Sequence, residues 1–233
     1  MTLKKETGRQ GMSRRTVLAG LAGTAGAWLA MKRGAAQAPN GEAAVVKGRI
    51  KQSVSRWCYG KIPMDDFCRE VKAMGMVGID LLGVEESEAL KPHGLISTMC
   101  NGPGRIEIGW NDPKNHDDLV AKSEELLPKI AEAGWPNMVV FSGNRRGMPD
   151  DEGLQNCVTG LKRIIPLAEE LGVTVTMELL NSKRNHKDYM CDHTSWGVEL
   201  AKALGSDRFK LQYDIYHMQI MEGDIIATIQ ENI

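Results

Sequence analysis

Apolar residues along the chain fall in short runs that alternate with longer amphipathic stretches. Strand-like runs cover 50–55, 77–82, 95–100, 138–142, 173–180 and 209–213. Between them, helical spacing predicts helices over 64–74, 85–90, 116–133, 152–171 and 194–204, with a last one near Asp224. Strands alternating with helices predict βαβ units and a parallel sheet. Gly75, Gly134, Gly172 and Gly205 each close a helical run just before a strand, where a left-handed cap is expected.

Two architectures fit this alternation, an open doubly wound sheet and a closed (β/α)8 barrel. A doubly wound nucleotide-binding fold calls for a glycine-rich turn after its first strand, and none follows 50–55. The glycines of "NGPGRIEIG" lack phosphate-cradling spacing and read as a long loop over the sheet rim. Strand phase favours the barrel. In "VTVTME" Val173, Val175 and Met177 alternate with Thr174, Thr176 and Glu178; in "FKLQYD" Phe209, Leu211 and Tyr213 alternate with Lys210, Gln212 and Asp214. "VGID" repeats the pattern, with Asp80 opposite Val77 and Ile79. The apolar phase would pack on surrounding helices and the polar phase would point into a barrel, toward the C-terminal mouth where such folds keep their sites. An open sheet covered on both sides would carry apolar residues in both phases.

Three strands are thus read as ending in an acid. For each alone the plain alternative is a strand-end residue capping the next helix, but Glu178 and Asp214 share a phase. Carboxylates converging in a closed mouth repel one another unless a cation lies between them, and oxygen ligands of this kind suit Mg²⁺ or Mn²⁺. Asp80 is a candidate substrate contact. Trp57, near the mouth end of the first strand, is a candidate to line a pocket there with its aromatic face. Met74, Met76, Met218, Met221 and Trp110 read as packing.

The chain of 233 residues, 42% hydrophobic and 25% charged, can bury one sizeable core. Its net charge of −1 gives no electrostatic reason to expect a nucleic-acid partner, which leaves a small molecule. The five cysteines and five histidines are dispersed, so neither a zinc knuckle nor a disulfide scaffold is indicated, and any metal site must be assembled by the fold. The pattern leaves a homo-oligomer open.

The N-terminal segment carries a different signal. Ser13-Arg14-Arg15 precedes a Gly/Ala-rich apolar run over 18–30, and Ala36-Gln37-Ala38 precedes Pro39. This is the layout of an export signal with a small-x-small cleavage site, of the twin-arginine type. The run is shorter than the roughly 20 residues that span a bilayer. Residues 1–38 are therefore expected to be a twin-arginine signal, 39–48 a linker and 49–233 the barrel. The mature chain would be periplasmic, with no membrane association after cleavage.

"TMELLNSKRNHKDYM" and "LQYDIYHMQIMEGDI" resemble two internal motifs of the hydroxypyruvate isomerases, within the xylose isomerase-like barrel superfamily that also holds tagatose- and psicose-type epimerases. The resemblance runs from about Ile50 onward. It implies a metal ligand and catalytic acid/base at Glu178, a metal ligand at Asp214, a substrate or neighbouring contact at His217 and a weaker substrate contact at His186. His217 read alone caps a helix, and His186 read alone is a solvated loop residue. The implied activity is aldose–ketose isomerisation of a sugar or hydroxy-keto acid through an enediolate, of the hydroxypyruvate to tartronate semialdehyde type. The resemblance also implies two further βα units, with another ligand and a second glutamate, beyond the about six of eight counted here. The polypeptide is therefore expected to be a fragment that turns over little. A ketose 3-epimerase and a non-catalytic exported sugar-binding barrel are the alternatives. The phosphodiesterase branch fits poorly, since it uses many histidines and a basic surface.

Overall fold

The computed structural model describes residues 50–232, so the expected export segment 1–38 and linker 39–48 lie outside the described residues. Six parallel strands form one sheet in sequential order: β1 Ser53–Ser55, β2 Gly78–Leu82, β3 Ile96–Cys100, β4 Asn137–Val140, β5 Thr174–Glu178 and β6 Phe209–Gln212. Eight helices connect and flank them among the described residues: α1 Met64–Ala73, α2 Val84–Ser87, α3 His116–Ala133, α4 Asp150–Leu161, α5 Ile165–Leu171, α6 Thr194–Leu204, α7 Ile215–Met221 and α8 Ile225–Asn232. β1 and β6 share no ladder, yet Ser53 and Ser55 of β1 and Gln212 of β6 line one cavity. The sheet therefore curls as in a (β/α)8 barrel, six strands of which are described.

The strand phases hold. Val175 and Met177 are fully buried beneath the helices, and Leu211 packs over Gly197 of α6. Fully burying one such side chain contributes about 1.5–3 kcal/mol. Ile79 and Leu82 belong to a second, smaller core with Phe67, Val71 and Leu90, beneath α1. The predicted glycine caps are present: Gly134, Gly172 and Gly205 are left-handed C-caps, and Gly75, with φ of 79°, follows the α1 cap at Met74.

Several boundaries differ from the pattern, each for a local reason. The helix expected over 152–171 is two, because Pro166 lacks an N–H and starts a new helix at α5. The helix expected over 85–90 is the short α2 followed by a 3-10 turn, Glu88–His93, which contains Pro92. α7 was not expected at all. The first strand is shorter than 50–55, and Ile50 is exposed. Of the packing candidates, Trp110, Met218 and Met221 are buried, whereas Met74 is exposed.

The acids also sit differently from three matching strand ends. Glu178 closes β5, Asp214 lies two residues beyond β6, and Asp80 is inside β2. Leu81, directly after Asp80, has φ of 59°, and the β2–β3 register shifts on both sides of Asp80. This bulge sets the local direction of the strand.

Candidate active site

Glu178 and Gln212 are register partners across β5 and β6, so their side chains emerge on the same face. Gln212 Nε2 donates to Glu178 Oε1 at 2.8 Å. The Glu178 carboxyl is pushed up to about 7, first by burial and then by the charge of Asp214, with the Gln212 amide pulling the other way. A buried carboxyl with a carboxylate neighbour carries the perturbation expected of a working acid/base.

Asp214 has two roles. Its Oδ1 accepts from the backbone N–H of His217 at 3.1 Å and so caps α7. Its Oδ2 lies 3.9 Å from His217 Nε2. The capping alternative is therefore real for Asp214, and the cap engages only one of its two carboxylate oxygens.

His217 is buried, and its Nδ1 faces the backbone N–H of Asn181 at 3.1 Å. A backbone N–H only donates, so Nδ1 is the acceptor and the neutral ring carries its proton on Nε2, toward Asp214. The Asn181 amide nitrogen lies 2.6 Å from the same Nδ1. Burial depresses the His217 pKa; Asp214 opposes that shift and His186 adds to it. His186 tilts over the His217 ring at 5.1 Å between centroids, and the Tyr216 ring meets its edge at 5.0 Å.

The loop over 179–193, which carries Asn181 and His186, is built by a network. Asn181 Oδ1 accepts from the N–H groups of Arg184 and Asn185, both at 3.0 Å, closing a turn. Tyr189 is fully buried; its hydroxyl donates to the Glu178 carbonyl at 2.9 Å and accepts from Ser142 N–H at 3.1 Å. Arg145, after β4, binds Asp192 at 2.9 Å, Asp150 at 2.5 Å and the carbonyls of Tyr189 and Met190. Asp192, held also by Ser182 and His193, has its carboxyl below the usual range: burial alone would raise it, and these partners outweigh burial.

Asp80 and Trp57 stand apart from that cluster. Asp80 accepts from the Ser53 hydroxyl at 2.8 Å and faces a cavity that Gln212 also lines. Trp57, in the 3-10 turn Arg56–Tyr59, is 73% exposed and does not line that cavity. Gln212, Asn181 and Tyr189 were not singled out by the pattern. Gln212 shares its phase with Asp214, the one signal that could have marked it.

The fit to a metal can be tested on the donors. Glu178 and Asp214 supply two mutually repelling carboxylates, the oxygen set a hard divalent cation takes. Among the described residues no group of three or more His, Cys, Asp and Glu side chains is assembled for metal binding. The pair thus fits as part of a ligand set, completed by water, substrate or other groups.

Comparison with known proteins gives the family of the chain. A D-psicose 3-epimerase of Enterocloster bolteae is 24% identical over 160 residues, covering 64% of this chain and 50% of that protein. A Xenopus laevis protein whose name assigns it provisionally to hydroxypyruvate isomerase is 21% identical over 201 residues, 78% of this chain and 72% of its own. The chain thus spans about half the length of the curated epimerases it matches. Among solved structures, an AP endonuclease, family 2, from Brucella melitensis superposes with a TM-score of 0.70 at 20% identity, over 78% of this chain and 75% of that one. A D-psicose 3-epimerase from Clostridium cellulolyticum H10, with D-tagatose, gives 0.65 at 16% identity over 78% and 69%. At these identities the superpositions speak for the fold. The family model described as xylose isomerase-like TIM barrel matches residues 68–232, well over half of the sequence, and the chain belongs to that family.

Proposed function

We propose that this chain carries the proton-transfer site of an aldose–ketose isomerase of the hydroxypyruvate isomerase type, working through an enediolate. The observation behind this reading is Glu178, a buried carboxyl at a strand's C-terminal end, poised at about 7 beside Asp214. A general base is most effective with a pKa near the working pH, where it both accepts and returns a proton.

Glu178 takes the proton from the carbon next to the substrate carbonyl and returns it to the neighbouring carbon. Gln212, bonded to Glu178 Oε1, fixes that oxygen and leaves Oε2 to reach the substrate. His217, with its proton on Nε2, is a donor for a substrate oxygen. Glu178 and Asp214 would hold Mg²⁺ or Mn²⁺, which would polarise the carbonyl as a Lewis acid. A hydroxy-keto acid or sugar is the matching substrate class.

The test is deuterium wash-in. With Mn²⁺ in D₂O, hydroxypyruvate and ketoses are expected to take up deuterium at the carbon beside the carbonyl, read by NMR, and Glu178→Gln is expected to abolish it. Equal uptake with Glu178→Gln would overturn the proposal.

Ketose 3-epimerisation is the second reading, favoured by the match to the Enterocloster epimerase over 160 residues. It begins with the same abstraction at a different carbon, so the position of the deuterium separates the two. The twin-arginine export reading rests on Arg14 and Arg15, and cell fractionation of a variant with both changed to Lys tests it.

A further inference from the structure

The concave face of the sheet holds a second polar region that the proton-transfer reading does not use. It is a cavity of about 290 Å³, near the low end of small-molecule sites, lined by Ser53, Ser55, Asp80, Leu81, Thr98 and Gln212, among others. None of its lining residues is basic. Gln212 joins it to the candidate active site, because its amide nitrogen is bonded to Glu178.

Among the described residues, two lining side chains leave buried oxygens without a hydrogen-bond partner, Thr98 Oγ1 and Gln212 Oε1. Buried polar atoms are almost always satisfied, so two orphans beside one cavity are a chemical signal. Asp80 adds a carboxyl whose one side-chain partner among the described residues is the Ser53 hydroxyl. The Ser53 proton is thereby committed. Burial raises the Asp80 carboxyl, and the Ser53 bond offsets only part of that.

A third observation is the backbone. Leu81 holds φ of 59°, a conformation costing a non-glycine residue about 1–3 kcal/mol, within a bulge that sets Asp80 against the cavity. Strain of this kind persists where the surroundings impose it, and it concentrates at ligand-binding positions.

The open chemistry is dominated by two acceptors, the Asp80 carboxyl and the Gln212 carbonyl oxygen, beside a threonine hydroxyl that can donate or accept. A hydroxyl group donates to such a set. A carboxylate, which only accepts, is repelled by it. We propose that Asp80, Thr98 and Gln212 form a subsite for the uncharged hydroxylated tail of the substrate. The site would therefore favour a polyhydroxylated ketose over a short hydroxy-keto acid. This rests on the reading of Glu178 as the base, and of that reading's two substrate classes it ranks the ketose above hydroxypyruvate itself.

Alditols test the subsite apart from turnover, since they carry the hydroxylated chain and no carbonyl. Binding of xylitol, glycerol and tartronate to the whole chain can be measured by ligand-observed NMR and calorimetry. Xylitol is expected to bind more tightly than glycerol and tartronate. Asp80→Asn and Thr98→Val are each expected to weaken xylitol about tenfold, the worth of one good hydrogen bond. Thr98→Val keeps shape and volume, so a folding defect in Asp80→Asn does not remove the test. Xylitol binding no tighter than glycerol or tartronate, or as tightly to both variants as to the unaltered chain, overturns the subsite. Deuterium wash-in distinguishes the layers. Xylitol binding without wash-in for any carbonyl substrate defeats the reading of Glu178 and supports the subsite. Wash-in without xylitol preference does the reverse.

Discussion

Gln212 Nε2 lies 2.8 Å from Glu178 Oε1, across a register pair of two adjacent parallel strands. The bond stabilises the charged form of a carboxyl that burial and Asp214 both push toward the neutral form. Gln212→Leu is expected to raise the Glu178 pKa by about one unit or more, since a hydrogen bond to a charged group contributes about 1.5–3 kcal/mol. A carboxyl-carbon NMR titration reads the shift, and an unmoved or lowered midpoint defeats this account.

Glu178 also links stability to pH. Its folded value of about 7 lies above the ordinary glutamate value of 4.5, so between these the folded chain binds more protons than the unfolded chain. Stability from this group is therefore fully present below about 4.5 and falls as pH rises to about 7, by roughly 3 kcal/mol without metal. Glu178→Gln is expected to flatten that slope in urea titrations run across the range. A slope kept by the variant assigns it to other groups.

Metal and cap can be separated at Asp214. Asparagine caps a helix about as well as aspartate but brings no charge to a cation. Asp214→Asn is expected to melt close to the unaltered chain without metal, and to lose the upward shift that saturating Mn²⁺ gives. That shift corresponds to about 2.7 kcal/mol at a hundredfold excess over Kd. Asp214→Ala is expected to cost about 1 kcal/mol more through the lost cap. An equal Mn²⁺ shift in Asp214→Asn and the unaltered chain would remove Asp214 from the ligand set.

Tyr189→Phe deletes one hydroxyl that serves two partners, Ser142 N–H and the Glu178 carbonyl. Leaving a buried N–H unpaired costs about 1–3 kcal/mol. The expected result is a loss of that size in denaturant midpoint, with lowered wash-in because the end of β5 loosens. A variant as stable as the parent would show that the loop does not depend on this bond.

Trp57→Ala is expected to change stability by less than about 0.5 kcal/mol, since its side chain is largely in water. Any effect on substrate KM would then report direct contact, and an unchanged KM would leave Trp57 outside the site.

Much of the fold was legible because its signals are local. Alternation within "VTVTME" told which side chains pack outward, and the glycines at 134, 172 and 205 marked helix ends by the left-handed turn they permit. Pro166 could have split 152–171, since a proline starts helices more readily than it continues them. α7 was hidden because it follows Asp214 by one residue and reads as part of a loop motif. The site was legible only in its acids. Gln212 meets Glu178 through strand register and Asn181 meets His217 across 36 residues, and no single-strand pattern encodes either pairing.

The stitching between the loops after β4 and β5 has a kinetic meaning. Ser142 N–H is held by Tyr189, Met190 N–H by the Gly143 carbonyl, Arg145 N–H by the Asp188 carbonyl and Cys191 N–H by the Ser142 hydroxyl. Each loop thus protects the amides of the other, and these protons should share one opening free energy for exchange with solvent, as a single foldon. Neither loop can act as a gate alone, and widening of the mouth on this side would be one joint opening of both.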